Sequence, residues 1–316
     1  MALASDLYTL VTKGFQYSAN WETIREFPHF AHDLFLGATR EAKKPNFVYT
    51  DLHVHVKEAE KIKDVLDEAS KRVDVMTLVT RTIEANKNHL SYEKALEKLD
   101  QEQVEHTKLG DRAVRVESSN GSVYIIRATE VYVKEKQGVI MIGNDREFYE
   151  GKLTLDDAVK ACDDMGAFWF LDHPFSVGAP KIAFRYPTDQ EMKMREEWFD
   201  KYKPVVEVGN HQNTLWMYPS NVLARRMVHK HDLVGIANSD THFRVKDVGL
   251  SRTAFPRELF KDGSDEAVLQ SLRTAFSEEH KGKLKVESGY ASIWSFGAYM
   301  ILPTLSPKLA RKLKVR

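Results

Sequence analysis

Apolar positions along the chain follow two alternating periods. Phe47, Val48, Tyr49 and Thr50 form a short aromatic and β-branched run that predicts a buried strand. Ile62, Val65, Leu66 and Ala69 then recur at helical spacing within residues 61–72, and residues 73–80 return to a strand-like pattern. Strand, helix and strand in that order predict a parallel βαβ unit.

The alternation continues. Residues 83–108 are charged and helical in pattern, with Ala95, Leu96 and Leu99 on one side. Residues 112–117 and 123–133 flank Asn120-Gly121 and predict a hairpin, followed by a short strand over 138–143. Thr154 reads as the cap of a helix over 155–165 with an Asp at its third position, and Gly166 suits a left-handed end. Strands are predicted over 167–171, 205–208 and 233–237, and helices over 191–201, 219–231 and 265–276. This pattern favours one α/β barrel over residues 47–282 rather than two domains.

Both flanks read as extensions. Residues 1–46 combine helical spacing at Leu7, Leu10 and Val11 with aromatic residues at Phe15, Tyr17, Trp21, Phe27 and Phe30, which suits helices packed over one end of the barrel. In residues 283–316, Leu305, Leu309 and Leu313 lie at helical spacing among Lys308, Arg311, Lys312, Lys314 and Arg316. A packed helix with a solvated basic face is the simplest account.

Composition narrows the class. With 316 residues, 42% hydrophobic and 29% charged, the chain has the make-up of a water-soluble globular protein. A formal net charge of zero gives no global pull toward nucleic acid or an anionic membrane. The single cysteine, Cys162, excludes an intrachain disulfide and sits in a helix-like stretch, where packing is the expected role. The nearest approach to a membrane span, residues 291–305, is interrupted by Ser295, Gly297 and Pro303. With no signal-peptide pattern at the start, a cytoplasmic location is expected.

The candidate chemistry lies at strand ends. In Asp51-Leu52-His53-Val54-His55 the two imidazoles are two positions apart, so an extended backbone points both to one face, as a divalent metal requires. Glu130, Asp172-His173-Pro174 and Asn238-Ser239-Asp240-Thr241-His242 also fall on or just after predicted strands. In a parallel barrel those ends share one face.

This set of motifs, over roughly residues 48–255, resembles the polymerase and histidinol phosphatase (PHP) family. The resemblance implies a distorted (β/α)7 TIM-like barrel of seven parallel strands, whose mouth holds up to three divalent metals (zinc, manganese or iron) that hydrolyse phosphate esters. Carried over by position, His53, His55, Glu130 and Asp240 would bind a first metal. Glu130 would bridge to a second held by His173, and His242 would belong to a third. Three places depart from the family pattern. Only Glu58 and Glu60 stand where an Asp is usual, Thr80-Arg81-Thr82 replaces an Asp-His, and Val139-Ile140-Met141 lacks a His. Fewer than three metals are therefore expected. Arg81 would either set a fixed positive charge near the lost third metal or pair with a surface carboxylate. Of two stray histidines that could fill a vacancy, His211 is the better placed in sequence and His89 the lesser.

The expected activity is that of a metal-dependent phosphoesterase using a metal-activated water on a phosphomonoester or nucleotide-derived phosphodiester. His173, His242 and Asp240 are the candidate catalytic groups, with Asp172 as an imidazole partner. Arg81, Arg185, Arg244, Arg252 and His211 are candidate substrate contacts, each against the alternative of a solvated or structural side chain. Two other readings stand beside this one. One is a barrel that serves as a non-catalytic scaffold for nucleic acid or a partner protein, and the other a single-metal centre that hydrolyses an amide or other non-phosphate bond. The expected partner is a small phosphorylated substrate, with nucleic acid less favoured.

Overall fold

The computed structural model of the chain describes residues 2–81, 89–179, 183–242 and 244–296. Helices α1 (Ala2–Ser18) and α2 (Trp21–Leu36) come first. The sheet begins with β1 (Phe47–Asp51), crosses through α3 (Ile62–Arg72) and returns as β2 (Val75–Arg81). Next come α4 (Tyr92–Gln101), β3 (His106–Lys108), β4 (Ala113–Val116), β5 (Val123–Tyr132), β6 (Gly138–Ile142), α5 (Leu155–Met165) and β7 (Phe168–Leu171). A small hairpin, β8 (Val177–Ala179) and β9 (Ala183–Arg185), precedes α6 (Asp189–Tyr202), β10 (Val205–Asn210), α7 (Pro219–Lys230) and β11 (Val234–Asn238). The described chain ends with β12 (Arg252–Pro256), α8 (Asp265–Ala275), β13 (Lys285–Glu287) and α9 (Ile293–Phe296).

Local signals account for the element ends. Thr154 and Asp157 form a capping box at the start of α5, and Gly166 closes it in the left-handed conformation. Thr188 and Glu191 make the same box on α6. The predicted helix over 83–108 is shorter in the fold. Ser91 caps α4, which stops at Gln101, and His106–Lys108 pairs with β4 instead, while residues 82–88 lie outside the described part.

The main sheet runs β11-β10-β7-β6-β5-β2-β1-β12-β13, with β3 and β4 attached beside β5. Strands β1, β2, β5, β7, β10 and β11 point the same way, whereas β6 and β12 run against them. Strand β13 runs against β12 and so points with β1, and the barrel implied by the resemblance is distorted by two strands, β6 and β12, that run against the rest of this path. The link from β5 to β6 is too short for a crossover, which forces an antiparallel return. Strand β12, over residues 252–256, falls outside the strands that the sequence pattern predicts.

The sheet curls into a nearly closed barrel. Thr253 Oγ1 accepts from Ala237 N at 2.7 Å and so ties β12 to β11, while Val54 bridges Thr241 at the mouth. Inside, Val48, Leu52, Val79, Ile140, Phe170 and Ile236 share one apolar cluster with Val268, Leu269 and Leu272 of α8. Burial contributes about 1.5–3 kcal/mol for each such large side chain. Leu269 packs so closely on Gly143, at φ +76°, that a Cβ there would lie 2.6 Å from it. Helix α8 therefore closes the barrel floor, at the end opposite the His-x-His run.

Outside, α3 and α4 cover β1, β2 and β5, and α5, α6 and α7 cover β6, β7 and β10. Cys162 is buried in the second of these layers, which pushes its thiol up to about 12. Phe30 and Leu34 of α2 pack against Tyr218 and Tyr290. Among the described residues no helix is long and apolar enough to cross a membrane. The basic residues from Lys308 to Arg316 lie outside the described part.

Candidate metal centre

The mouth of the barrel gathers residues from five strands. His53 and His55 follow β1, Glu130 lies on β5, His173 follows β7, Glu207 lies on β10, and Asp240 and His242 follow β11. Asp240 has φ 48° and His173 φ 21°, left-handed backbone that turns each side chain back into the mouth. One extra residue bulges β10 between Glu207 and Gly209, so both Glu207 and Asn210 reach the interior.

Hydrogen bonds at Nδ1 set the orientation of both β1 histidines. His53 Nδ1 lies 3.2 Å from Glu207 Oε1, and His55 Nδ1 lies 3.0 Å from the Val79 carbonyl oxygen. Neither acceptor has a proton to give, so each ring donates from Nδ1 and turns Nε2 inward. The two Nε2 atoms stand only 3.1 Å apart. Two facing lone pairs repel unless a positive charge lies beside both.

Carboxylates complete the surroundings. Asp240 Oδ1 is 3.3 Å from His53 Nε2, 3.8 Å from His55 Nε2 and 2.9 Å from His242 Nε2, and Glu130 Oε2 is 3.4 Å from His55 Nε2. Asp240 Oδ1 and Asp172 Oδ2 are buried oxygens whose near neighbours are imidazole nitrogens, His242 Nε2 at 2.9 Å and His173 Nε2 at 3.1 Å. Four buried acidic side chains, Glu130, Asp172, Glu207 and Asp240, surround the histidines, and among the described residues the guanidinium of Arg81 donates from Nε to Glu130 at 2.9 Å. Buried negative charge of this kind needs a cation.

The protonation shifts agree. Burial works against a charge on His53, yet Asp240 and Glu207 hold its pKa well above the ordinary value. Burial also works against ionisation of Asp240, but His53 and His242 hold its pKa well below. Both directions favour positive charge at this point. Asp172, with burial as the main cause, is pushed up to about 7, and its Oδ2 lies 3.1 Å from His173 Nε2. Gly138 is required here because a Cβ would run into the Asp172 carboxylate.

Ring planes sort the ligands. The His53 and His55 rings are inclined at 65°, so their in-plane lone pairs can converge on one point. His173 lies nearly parallel to His53, at 20°, and His242 nearly parallel to His55, at 11° and 4.3 Å between centroids. Lone pairs in parallel planes do not meet. His173 and His242 therefore stand beside the first pair, each in its own group of candidate ligands. His173 is grouped with Glu130 and Asp172, and His242 with His55 and His89.

All six candidate ligands named from the sequence thus meet at one mouth, but the candidate substrate contacts divide. Arg81 is on the cluster through Glu130, a buried carboxylate rather than a surface one. Arg244 lines a small cavity with His55, Lys57, Glu60 and His242. Arg185 is buried and makes two bonds to Glu191 at 2.8 Å, with Asp6 at 3.2 Å, which fixes it to α6 and α1 and away from a substrate role. Arg252 is fully buried on the outer side of β12, donating to Glu287 and to the carbonyls of Arg72 and Glu41, with its guanidinium 4.3 Å from the Tyr49 ring centre. That too is a structural role. His211 is buried beneath residues 289–291 and lies outside the ligand clusters among the described residues, so the preference for it over His89 is reversed. Burial, with Arg40 and Arg244 nearby, pushes its pKa down to about 3.

Sequence reading missed Glu207 as a site residue, although Val205-Val206-Glu207-Val208 places a charge in an otherwise apolar run. That isolated charge was the available signal.

A family model described as PHP-associated matches residues 219–275, which span α7, β11, β12 and α8. No curated protein matches the chain. Among solved structures, PsfC from Pseudomonas syringae PB-5123 is 17% identical, with 85% of this chain and 99% of that chain covered and a TM-score of 0.51. A two-domain protein containing a predicted PHP-like metal-dependent phosphoesterase from Bacteroides vulgatus ATCC 8482 is 17% identical, with 80% and 70% covered and a TM-score of 0.48. The lesion-specific endonuclease PfuEndoQ from Pyrococcus furiosus is 15% identical, with 76% and 57% covered and a TM-score of 0.46. At such identities the first of these likenesses speaks for the fold, and the other two add no argument.

Proposed function

We propose that the chain is a member of the PHP domain family, in line with the PHP-associated match over residues 219–275, and that it is a metal-dependent hydrolase, most specifically a phosphoesterase acting on a phosphomonoester or a nucleotide-derived phosphodiester. The observation that carries this reading is the pair of Nε2 atoms of His53 and His55, 3.1 Å apart, turned toward the buried Oδ1 of Asp240. His53, His55, Glu130 and Asp240 would hold the first cation. When bound, a divalent ion supplies Lewis acidity and brings the pKa of a water from about 15.7 toward roughly 7.

The chain's own groups divide the remaining work. Glu207 fixes the His53 ring, and the Val79 carbonyl fixes His55. Arg81, held on Glu130 with 39% of its side chain exposed, would meet an incoming phosphate with a fixed charge. Arg244 stands near His242. The His173 and Asp172 pair can keep a proton at His173 Nε2, next to Glu130, for a leaving oxygen.

The test is hydrolysis of p-nitrophenyl phosphate and its bis ester by purified protein, before and after chelation and with manganese or zinc restored. Turnover that vanishes on chelation and returns with metal supports the proposal. Full turnover by metal-stripped protein overturns it.

A further inference from the structure

We propose that His89 is a metal ligand that holds, together with His242, a second cation beside the one assigned to His53 and His55. This rests on the reading of the first ion given above: the position is the one the resemblance assigns to His242, and the new element is His89 as its ligand. The family pattern supplies no residue at position 89, and the resemblance leaves His242 without companions.

Three observations converge. First, the His55 and His242 rings are parallel within 11°, so an ion in the plane of one lies out of the plane of the other. His242 therefore needs a partner other than His55. Second, the His89 ring is inclined at 44° to that of His242, with 5.7 Å between centroids, so their in-plane lone pairs can converge. One nitrogen each of His55, His89 and His242 lie within 4.8 Å of one another. Third, His89 Nδ1 is buried with no hydrogen-bond partner.

The position of His89 is built by the backbone. Lys57 and His89 form an antiparallel bridge, and Leu90 N donates to the Val56 carbonyl oxygen at 2.7 Å. The residues just after the His53-x-His55 run thus hold His89 next to it. Asp240 Oδ1, 2.9 Å from His242 Nε2 and 3.3 Å from His53 Nε2, lies between the two sites and can serve both. Paired ions about 3.5–4 Å apart are a recurring arrangement in phosphoryl chemistry.

The experiment is metal counting by elemental analysis after equilibration with Mn2+ or Zn2+, alongside calorimetric titration of the metal-stripped protein. The wild type is expected to hold at least two ions per chain, and His89→Ala one fewer, with an unchanged circular-dichroism melt of the metal-stripped protein. His89→Asp, which restores a ligand atom, is expected to recover the lost ion. A wild type that binds a single ion, or a folded His89→Ala with the full count, overturns this inference and leaves the proposed hydrolase standing. A wild type that binds no metal overturns both.

Discussion

Glu207 Oε1 lies 3.2 Å from His53 Nδ1, and both side chains are fully buried. The carboxylate also accepts from Asn210 Nδ2 and Asn238 Nδ2 at 2.9 Å and from His173 N at 3.0 Å, so one residue of β10 fixes three parts of the mouth. Glu207→Gln should lower affinity for the first ion about 10–100-fold, read by calorimetric Zn2+ titration, because an outer hydrogen bond sets ligand orientation and basicity. Unaltered affinity would count against the assignment of His53.

His53→Ala should strip the first ion, and Asp240→Asn should cut phosphatase turnover by more than about 100-fold while the fold survives. Elemental analysis reads the first and steady-state kinetics the second. Full metal in one, or an unaffected rate in the other, would place the chemistry elsewhere.

Arg81 is argued to bind substrate rather than to hold metal. Arg81→Met should raise KM about 10-fold or more, the worth of one charge-assisted bond to a phosphate, with a smaller effect on kcat. An equal fall in kcat with KM unchanged would instead show that it acts by setting Glu130.

Glu191 gives a pH prediction away from the mouth. Burial opposes its ionisation, but the bonds from Arg185 and from Thr188 N outweigh that and lower its pKa to about 2. A carboxylate depressed in the folded state contributes stability that is complete above its unfolded value, near 4.5, and lost as pH falls toward 2. Glu191→Gln should cost about 1–3 kcal/mol at pH 7 and flatten the stability profile between those limits. Denaturant melts across pH read this. An unchanged profile would remove the structural role given to Arg185.

Much of the barrel was legible because local physics writes it. The capping box at Thr154, the left-handed Gly166 and Pro219 at the first turn of α7 mark ends that no distant contact needs to enforce. The antiparallel strand β12 was not legible. Its pairing with β1 joins residues about two hundred positions apart, and nothing in its five residues announces that partner.

Within the mouth the same division holds. Sequence alone determined that His53, His55, Glu130, His173, Asp240 and His242 fall on or just after strands, because apolar runs and their breaks fix where a strand stops and alternation fixes its faces. Only the tertiary structure decided that Glu207 orients His53, that His89 and not His211 joins the cluster, and that Arg185 and Arg252 are spent on structural ion pairs. Those outcomes depend on which strands the closing sheet brings together and on how each long side chain turns once there. Such choices are settled between segments far apart in the chain and leave no trace in the local pattern.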